Sequence, residues 1–334
     1  MIEIEERRSF ELINYMLRPK KQIERKIIIE ILQELDKEIG ISNYIYVGFG
    51  SIYYYDFILF HKFLNMNKLV SIDDKSTEKR FKFNRPYDFI SFEKKNSTDF
   101  LSKFNWDQKA VLWLDYDYKL KDSVLSDLKI IANNCKNKDI LMITLNAFCT
   151  TEEKKREKDS KEFYNSFGRY VSPGYKARKY FTPRYLPLLL QNVITNYLET
   201  MCEYRDIKFY KLFSFNYKDT TNMFTIGGIF DDNDELNNKD WNNKFVCNGE
   251  DIKDINVPIL TYCEKFYIDS HIEELKREIE KIEKNTKIPN FREKERKMTE
   301  KINEILPFEL SSFYDLKKYL ECYRHYPQYY EGII

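Results

Sequence analysis

The run Asp115-Tyr116-Asp117-Tyr118 closes the apolar stretch AVLWL and alternates two carboxylates with two phenolic rings. Carboxylates so spaced can orient a hydroxyl or take its proton. At the carboxyl end of a buried strand they would lie where open α/β sheets bind ligands. An aspartate there also serves to cap the following helix, so both readings stand. Upstream, Gly48 and Gly50 follow the apolar run Ile45 to Val47 in NYIYVGFGSIYYY. Glycines in that place either let a ligand approach the backbone or turn a tight corner between strand and helix. Asp73 and Asp74 close KLVSIDD, where a carboxylate just past a strand can accept two hydroxyl hydrogen bonds. Ser97, Thr98 and Asp99 in KKNSTDFL are further polar candidates.

These residues need a scaffold, and the periodicity supplies one. Apolar runs at 44–50, 68–74, 88–93, 110–117 and 139–147 read as strands, with helices predicted at 53–65, 97–104 and 121–136 between them. Such alternation implies crossover units and a parallel sheet covered on both faces. Two further strands, at 208–217 and 222–230, are joined by KDTT, which is too short for a crossover and predicts an antiparallel hairpin. A helix precedes the hairpin, with Thr182 predicted as its N-cap and Pro183 in its first turn. At the amino end, residues 8–38 read as two helices separated by Pro19, the second striped by Ile23, Ile27, Ile28, Ile31 and Leu32. Beyond a polar linker, DDNDELNNKDWNN, the chain is charged and helical, with Ser270 and Glu273 spaced as a capping box and a last helix around 312–325. The predicted organisation is a helical arm (1–42), an α/β domain (43–231) with an insertion or lid at 151–183, and a helical extension (232–334).

Composition bounds what such a fold could do. The 334 residues are 43% hydrophobic and 33% charged, typical of a folded chain. Lys and Arg (55) balance Asp and Glu (54), so a nucleic-acid partner could be met only by a local basic surface. Six scattered cysteines and three scattered histidines argue against a metal site, a disulfide framework or histidine-dependent catalysis, and fit a reducing compartment. No signal core or membrane-length apolar run is seen, so a cytoplasmic, membrane-free protein is expected. Abundant Tyr (26) and Phe (25), with Lys, Asn and Ile, reflect A/T-rich codons and suggest a bacterial source.

Two basic stretches stand out locally. LRPKKQIERK carries Arg18, Lys20, Lys21, Arg25 and Lys26, which suits phosphate contact or, more simply, a solvated helix face. FGRYVSPGYKARKYFTPR interleaves Arg169, Lys176, Arg178, Lys179 and Arg184 with Tyr170, Tyr175, Tyr180 and Phe181, a mixture suited to stacking and phosphate contact, or a basic surface loop.

Five alternating strands, a helix and a closing hairpin together resemble the class I S-adenosylmethionine-dependent methyltransferases over residues 43–231. The resemblance implies a seven-stranded Rossmann-like α/β sheet ending in an antiparallel hairpin, with S-adenosyl-L-methionine as cofactor. It implies that Gly48 and Gly50 flank the cofactor's methionine part and that Asp73, or Asp74 one register away, bonds its ribose. Ser97, Thr98 and Asp99 would then lie near the adenine. Asp115 to Tyr118 match, at the first and fourth positions, the Asp/Asn-Pro-Pro-Tyr/Phe signature of nucleic-acid amino-methyltransferases, which implies an acceptor amine on a nucleic acid or nucleotide. Arg169, Tyr175, Lys176, Arg178 and Lys179 would contact that substrate. The chain departs from the family at Tyr46, where an acidic residue is common, at Ile52, where a third glycine is common, and at both prolines. Val47-Gly48-Phe49-Gly50-Ser51 is also similar to the first motif of bacterial methyltransferase-like proteins. The competing expectation is a catalytically inactive scaffold whose C-terminal helices dock a protein partner.

Overall fold

The structure, a computed structural model, describes residues 18–74, 78–233, 235–236, 239–247 and 249–327. The first predicted helix, 9–17, lies outside them. The described residues form two compact units: Arg18 with Arg25–Lys253, and Pro19–Glu24 with residues 254–327.

Helix α1 (Pro19–Ile39), which belongs to the first unit from Arg25 onward, starts at its proline and stops at Gly40, whose positive φ of 68° lets its N–H cap Asp36 O. Then β1 (Ile45–Phe49), α2 (Tyr55–Leu64), β2 (Lys68–Ile72), α3 (Glu78–Asn84), β3 (Ile90–Glu93), α4 (Ser97–Leu101), β4 (Ala110–Asp115), α5 (Asp122–Asn134) and β5 (Ile140–Asn146) alternate as predicted. The one addition is the short α3. After β5 come α6 (Glu153–Phe167), three single-turn 3-10 helices, α7 (Leu186–Cys202), and the hairpin β6 (Lys208–Lys218) and β7 (Asn222–Asp231). The sheet order is β3-β2-β1-β4-β5-β7-β6, with a two-residue strand β8 (Lys253–Asp254) added beside β6, making eight strands rather than seven. β1 to β5 pair in parallel; β7 runs antiparallel to β5 and β6. This is the class I methyltransferase order, and its core of apolar residues from β1, β4, β5 and β7 is buried on both faces.

Two helix starts differ from expectation. Thr182 and Pro183 precede α7 rather than open it: Thr182 Oγ1 donates to Lys179 O, and the helix begins at Leu186 with Pro187 in its first turn. Ser270 is not a cap either, because its hydroxyl turns back to Tyr267 O. The capping box belongs to Thr261 and Glu264, which open α8 (Tyr262–Ser270).

The second unit joins Pro19–Glu24 to α8, α9 (Ile272–Asn285), α10 (Phe291–Ile305) and α11 (Phe313–Cys322). Its core is an apolar stripe of Leu275, Ile279, Ile282, Met298, Ile302, Phe313 and Leu316, with Tyr319 donating to Asp269 at 2.7 Å.

At the sheet's amino edge, Asp139 is 1% exposed and accepts from Ala110 N (2.8 Å) and Lys136 N (2.7 Å). Burial raises its carboxyl to about 6, above the unfolded value, with those two N–H groups opposing. The native chain therefore holds a proton that the unfolded chain has lost between about pH 4 and pH 6, and stability falls as pH rises through that window by roughly 2–3 kcal/mol. Urea midpoints measured across it should decline with rising pH in the wild type, and the wild-type-minus-variant difference should trace this slope when Asp139→Asn removes the titration. Parallel curves would refute the assignment.

Candidate active site

Strand register brings the acidic and glycine candidates together. Gly48 pairs with Ser71 on one side and Trp113 on the other. Two residues further on, Asp73, Gly50 and Asp115 therefore stand level at the carboxyl ends of three adjacent strands. Gly50 N–H donates to Ile72 O at 2.9 Å, and Asp115 pairs onward with Thr144.

The two glycines are accounted for by packing beneath them. Neither has a positive φ. A Cβ on Gly48 would lie 2.5 Å from the Tyr46 hydroxyl, and one on Gly50 would lie 2.2 Å from Ser71 Oγ and 2.8 Å from the Phe81 ring. Tyr46, at the place where the family commonly has an acid, is 1% exposed and stacks on Phe60 at 4.1 Å. Its hydroxyl is pushed well up, first by burial and then by the carboxylates of Asp56 and Asp115, with Arg25 opposing.

Asp115 and Arg25 were both singled out in the sequence; Asp56, and the pairing that joins the three, were not. Arg25, from α1, forks onto Asp56 in the first turn of α2 and donates to Asp115 Oδ2 at 3.2 Å, its plane 4.9 Å from the Trp113 ring centre. Its side chain is 2% exposed, so the expected solvated face of LRPKKQIERK is corrected: Arg18, Lys21 and Arg25 are all buried. A guanidinium in this setting is a planar bidentate clamp. Among the described residues, the trio joins one cation to two carboxylates at the carboxyl end of the sheet.

The other candidates divide. Asp127, on α5 and 0% exposed, accepts from Ser97 Oγ (2.5 Å), Thr98 Oγ1 (2.5 Å) and Tyr116 Oη (2.6 Å). A buried carboxylate needs such donors, and it draws these three hydroxyls inward. Tyr116 is 1% exposed, and its hydroxyl is raised by burial and by Asp127. Asp99 is exposed and paired with Asn96, the N-cap of α4. Asp74 and Asp117 are exposed on the loops past β2 and β4, with half-buried Tyr118 on the latter, Lys121 Nζ 4.6 Å over its ring.

The basic-aromatic segment is folded rather than loose. Tyr175 is buried against Tyr180, and Tyr164 donates to Tyr175 O at 3.1 Å. Arg178 pairs with Glu153 and Glu157. Arg169, Lys176 and Lys179 are exposed, with Arg169 over Tyr170 (4.7 Å) and Lys179 over Tyr180 (5.0 Å). Among the described residues no group of three or more His, Cys, Asp or Glu side chains could hold a metal ion, and no helix is long and apolar enough to cross a membrane.

No curated protein matches the sequence. Among solved structures it is similar to Trm1 from Pyrococcus horikoshii, determined with S-adenosyl-L-methionine (13% identity over 64% of this chain, TM-score 0.43), of which the chain spans about half (56%). It is also similar to the plantazolicin methyltransferase BpumL with S-adenosylhomocysteine (11%, 62% of this chain and 84% of that, TM-score 0.36). A third is the magnesium protoporphyrin IX methyltransferase of Synechocystis PCC 6803 (7%, 65% and 87%, TM-score 0.36). The family described as "Putative O-methyltransferase" matches residues 13–334, almost the whole chain. The chain belongs to that methyltransferase family.

Proposed function

We propose that the protein is an S-adenosylmethionine-dependent methyltransferase that acts on a hydroxyl. The observation that carries this reading is the level row of Asp73, Gly50 and Asp115 across adjacent strand ends, beside the buried pairing of Arg25 with the Asp56 and Asp115 carboxylates. The residues fit the cofactor's chemistry. Asp73 suits a vicinal diol, and the Arg25–Asp56–Asp115 trio suits a cationic neighbour. When bound, the cofactor supplies a methyl group activated by its sulfonium. Asp117 is the exposed carboxylate of the tetrapeptide and takes the proton of the hydroxyl as its oxygen becomes bonded to carbon. Asp115 acts instead as a positioning residue, held by Arg25, and this favours oxygen over an amine that would hydrogen-bond to Asp115. The family description favours oxygen as well.

A second reading, transfer to an amine of a nucleic acid or nucleotide, is supported by the exposed cations Arg169, Lys176 and Lys179, the first and last of which lie over the rings of Tyr170 and Tyr180. Salt-dependent RNA or DNA binding that weakens in Arg169→Ala/Lys179→Ala would favour it.

Calorimetric titration tests the cofactor. S-adenosylmethionine should bind, S-adenosylhomocysteine several-fold more weakly because it lacks the sulfonium charge, and Asp73→Ala should weaken both about 10- to 100-fold, the cost of lost charged hydrogen bonds. No heat and no thermal shift with either ligand would overturn the reading and leave the non-catalytic scaffold.

A further inference from the structure

At the opposite, amino edge of the sheet, the carboxyl ends of α5 and α7 bring two thiols to one atom. The carbonyl oxygen of Ala132 lies 3.6 Å from Cys135 Sγ and 4.0 Å from Cys202 Sγ. Both cysteines are buried, and both are free thiols. Arg205 completes the cluster. Its guanidinium donates to Ala132 O, to Cys135 O at 2.6 Å and to the Cys135 sulfur at 3.2 Å. The end of α5 is thus met by a fixed positive charge in contact with a thiol. Cys135 and Arg205 also line a cavity of about 230 Å³, open to solvent, together with Lys136, Asp206 and Asp232. Nothing in the proposed methyl transfer uses these groups.

We propose that Cys135 and Cys202 form a redox-active dithiol, a modification site that reacts with low-molecular-weight disulfides through this cavity and closes to a disulfide linking α5 to α7. Exchange requires a thiolate. Arg205 touches one member by direct contact, and the pair shares its remaining proton: Cys202 is drawn below the ordinary thiol range, first because the Cys135 S–H donates to it, while that hydrogen bond and burial push Cys135 up against the opposing charge of Arg205. The shared proton passes from Cys135 to Cys202 as the Cys135 sulfur, at the cavity wall, attacks one sulfur of the external disulfide. That S–S bond breaks, and the departing thiolate keeps the electron pair and takes a proton from water. Cys202 then gives its proton to water, attacks the Cys135 sulfur of the mixed disulfide and expels the second thiolate, which is protonated in turn. Two protein thiols are oxidised, and one external disulfide is reduced to two thiols. The link would reach the catalytic edge through α5, because α5 carries Asp127, which anchors Ser97, Thr98 and Tyr116.

The test is peptide mapping and intact mass of the full chain after incubation with glutathione disulfide. Exposed Cys263 serves as the internal reference, since its glutathione adduct proves the reagent active. The wild type should acquire a Cys135–Cys202 cross-link and a raised thermal midpoint that dithiothreitol reverses. Cys202→Ser, unable to resolve the intermediate, should retain one glutathione on Cys135. A protein modified at Cys263 with Cys135 and Cys202 both free would overturn the proposal, as would stable glutathione adducts on the wild-type pair without a cross-link. Should the serine variant fail to fold, the wild-type map decides alone.

Discussion

Arg25→Met is expected to lower the unfolding free energy of the sheet-bearing unit by about 3–5 kcal/mol, the cost of removing one partner from a buried ion pair. The direct attraction is not the source of so large an effect, because two charges brought out of water regain little beyond their desolvation cost. What costs stability is the remainder. Without the guanidinium, Asp56 and Asp115 would face each other in a site where the clamp's side chain is 2% exposed, beside the buried Tyr46 hydroxyl and the Trp113 ring. Methionine keeps much of the aliphatic volume, so cavity formation contributes little and the loss reports the charges. The triple variant Arg25→Met/Asp56→Asn/Asp115→Asn should recover most of the loss, since no uncompensated charge then remains. Denaturant titration followed by tryptophan fluorescence measures both. A loss under about 1 kcal/mol in Arg25→Met would mean that the fork on Asp56 and Asp115 is not buried in solution.

The same trio marks where reading the sequence stopped. The five parallel strands were legible because a strand covered on both faces must be almost continuously apolar, and the hairpin because KDTT leaves no room for a crossover. Helix α3 was not, since EKRFKFN buries only Phe81 and has too few turns for a stripe. Local spacing also misled at Ser270 and Glu273, which fit a capping box as well as Thr261 and Glu264 do; only the helix ahead of Ser270, which captures its hydroxyl, distinguishes them. Asp73, Gly50 and Asp115 could be aligned from strand order alone, because register follows from the hydrophobic pattern. The Arg25 pairs span 31 and 90 residues, and no local rule reaches that far. One signal was present: Arg25 lies three and seven residues before Ile28 and Leu32, on the apolar stripe of its own helix, and an arginine on such a stripe needs a buried partner. Ser97 and Thr98 were legible as polar residues at a helix start, but the buried Asp127 that claims them lies in what reads as an ordinary amphipathic helix.

Asp117→Asn is expected to lower kcat for methyl transfer by about 10²- to 10⁴-fold, the range of a positioned general base, while leaving the affinity for S-adenosylmethionine within about twofold. A neutral hydroxyl is a poor nucleophile and must lose its proton as the new carbon–oxygen bond forms, so a carboxylate at the acceptor is worth much in the transition state and little to the cofactor. In the proposed reaction this role falls to Asp117 rather than Asp115, because Asp115 is clamped by Arg25 and Asp117 stands exposed on the loop past β4. An amine acceptor behaves differently. Its nitrogen attacks through a lone pair and can shed the proton afterwards to water, so the same substitution should then cost well under tenfold, and Asp115→Ala, which removes the acceptor of the amine's hydrogen bond, should be the more damaging change. Transfer of labelled methyl groups from S-adenosylmethionine into fractionated pools of RNA, DNA, protein and small molecules, run with wild type and both variants, separates the cases. A large loss confined to Asp117→Asn supports oxygen transfer, and a large loss confined to Asp115→Ala moves the acceptor to an amine. Asp117→Glu supplies the control: partial rescue by a longer carboxylate marks a proton acceptor, whereas a loss equal to that of asparagine would mean the side chain matters only for the shape of its loop.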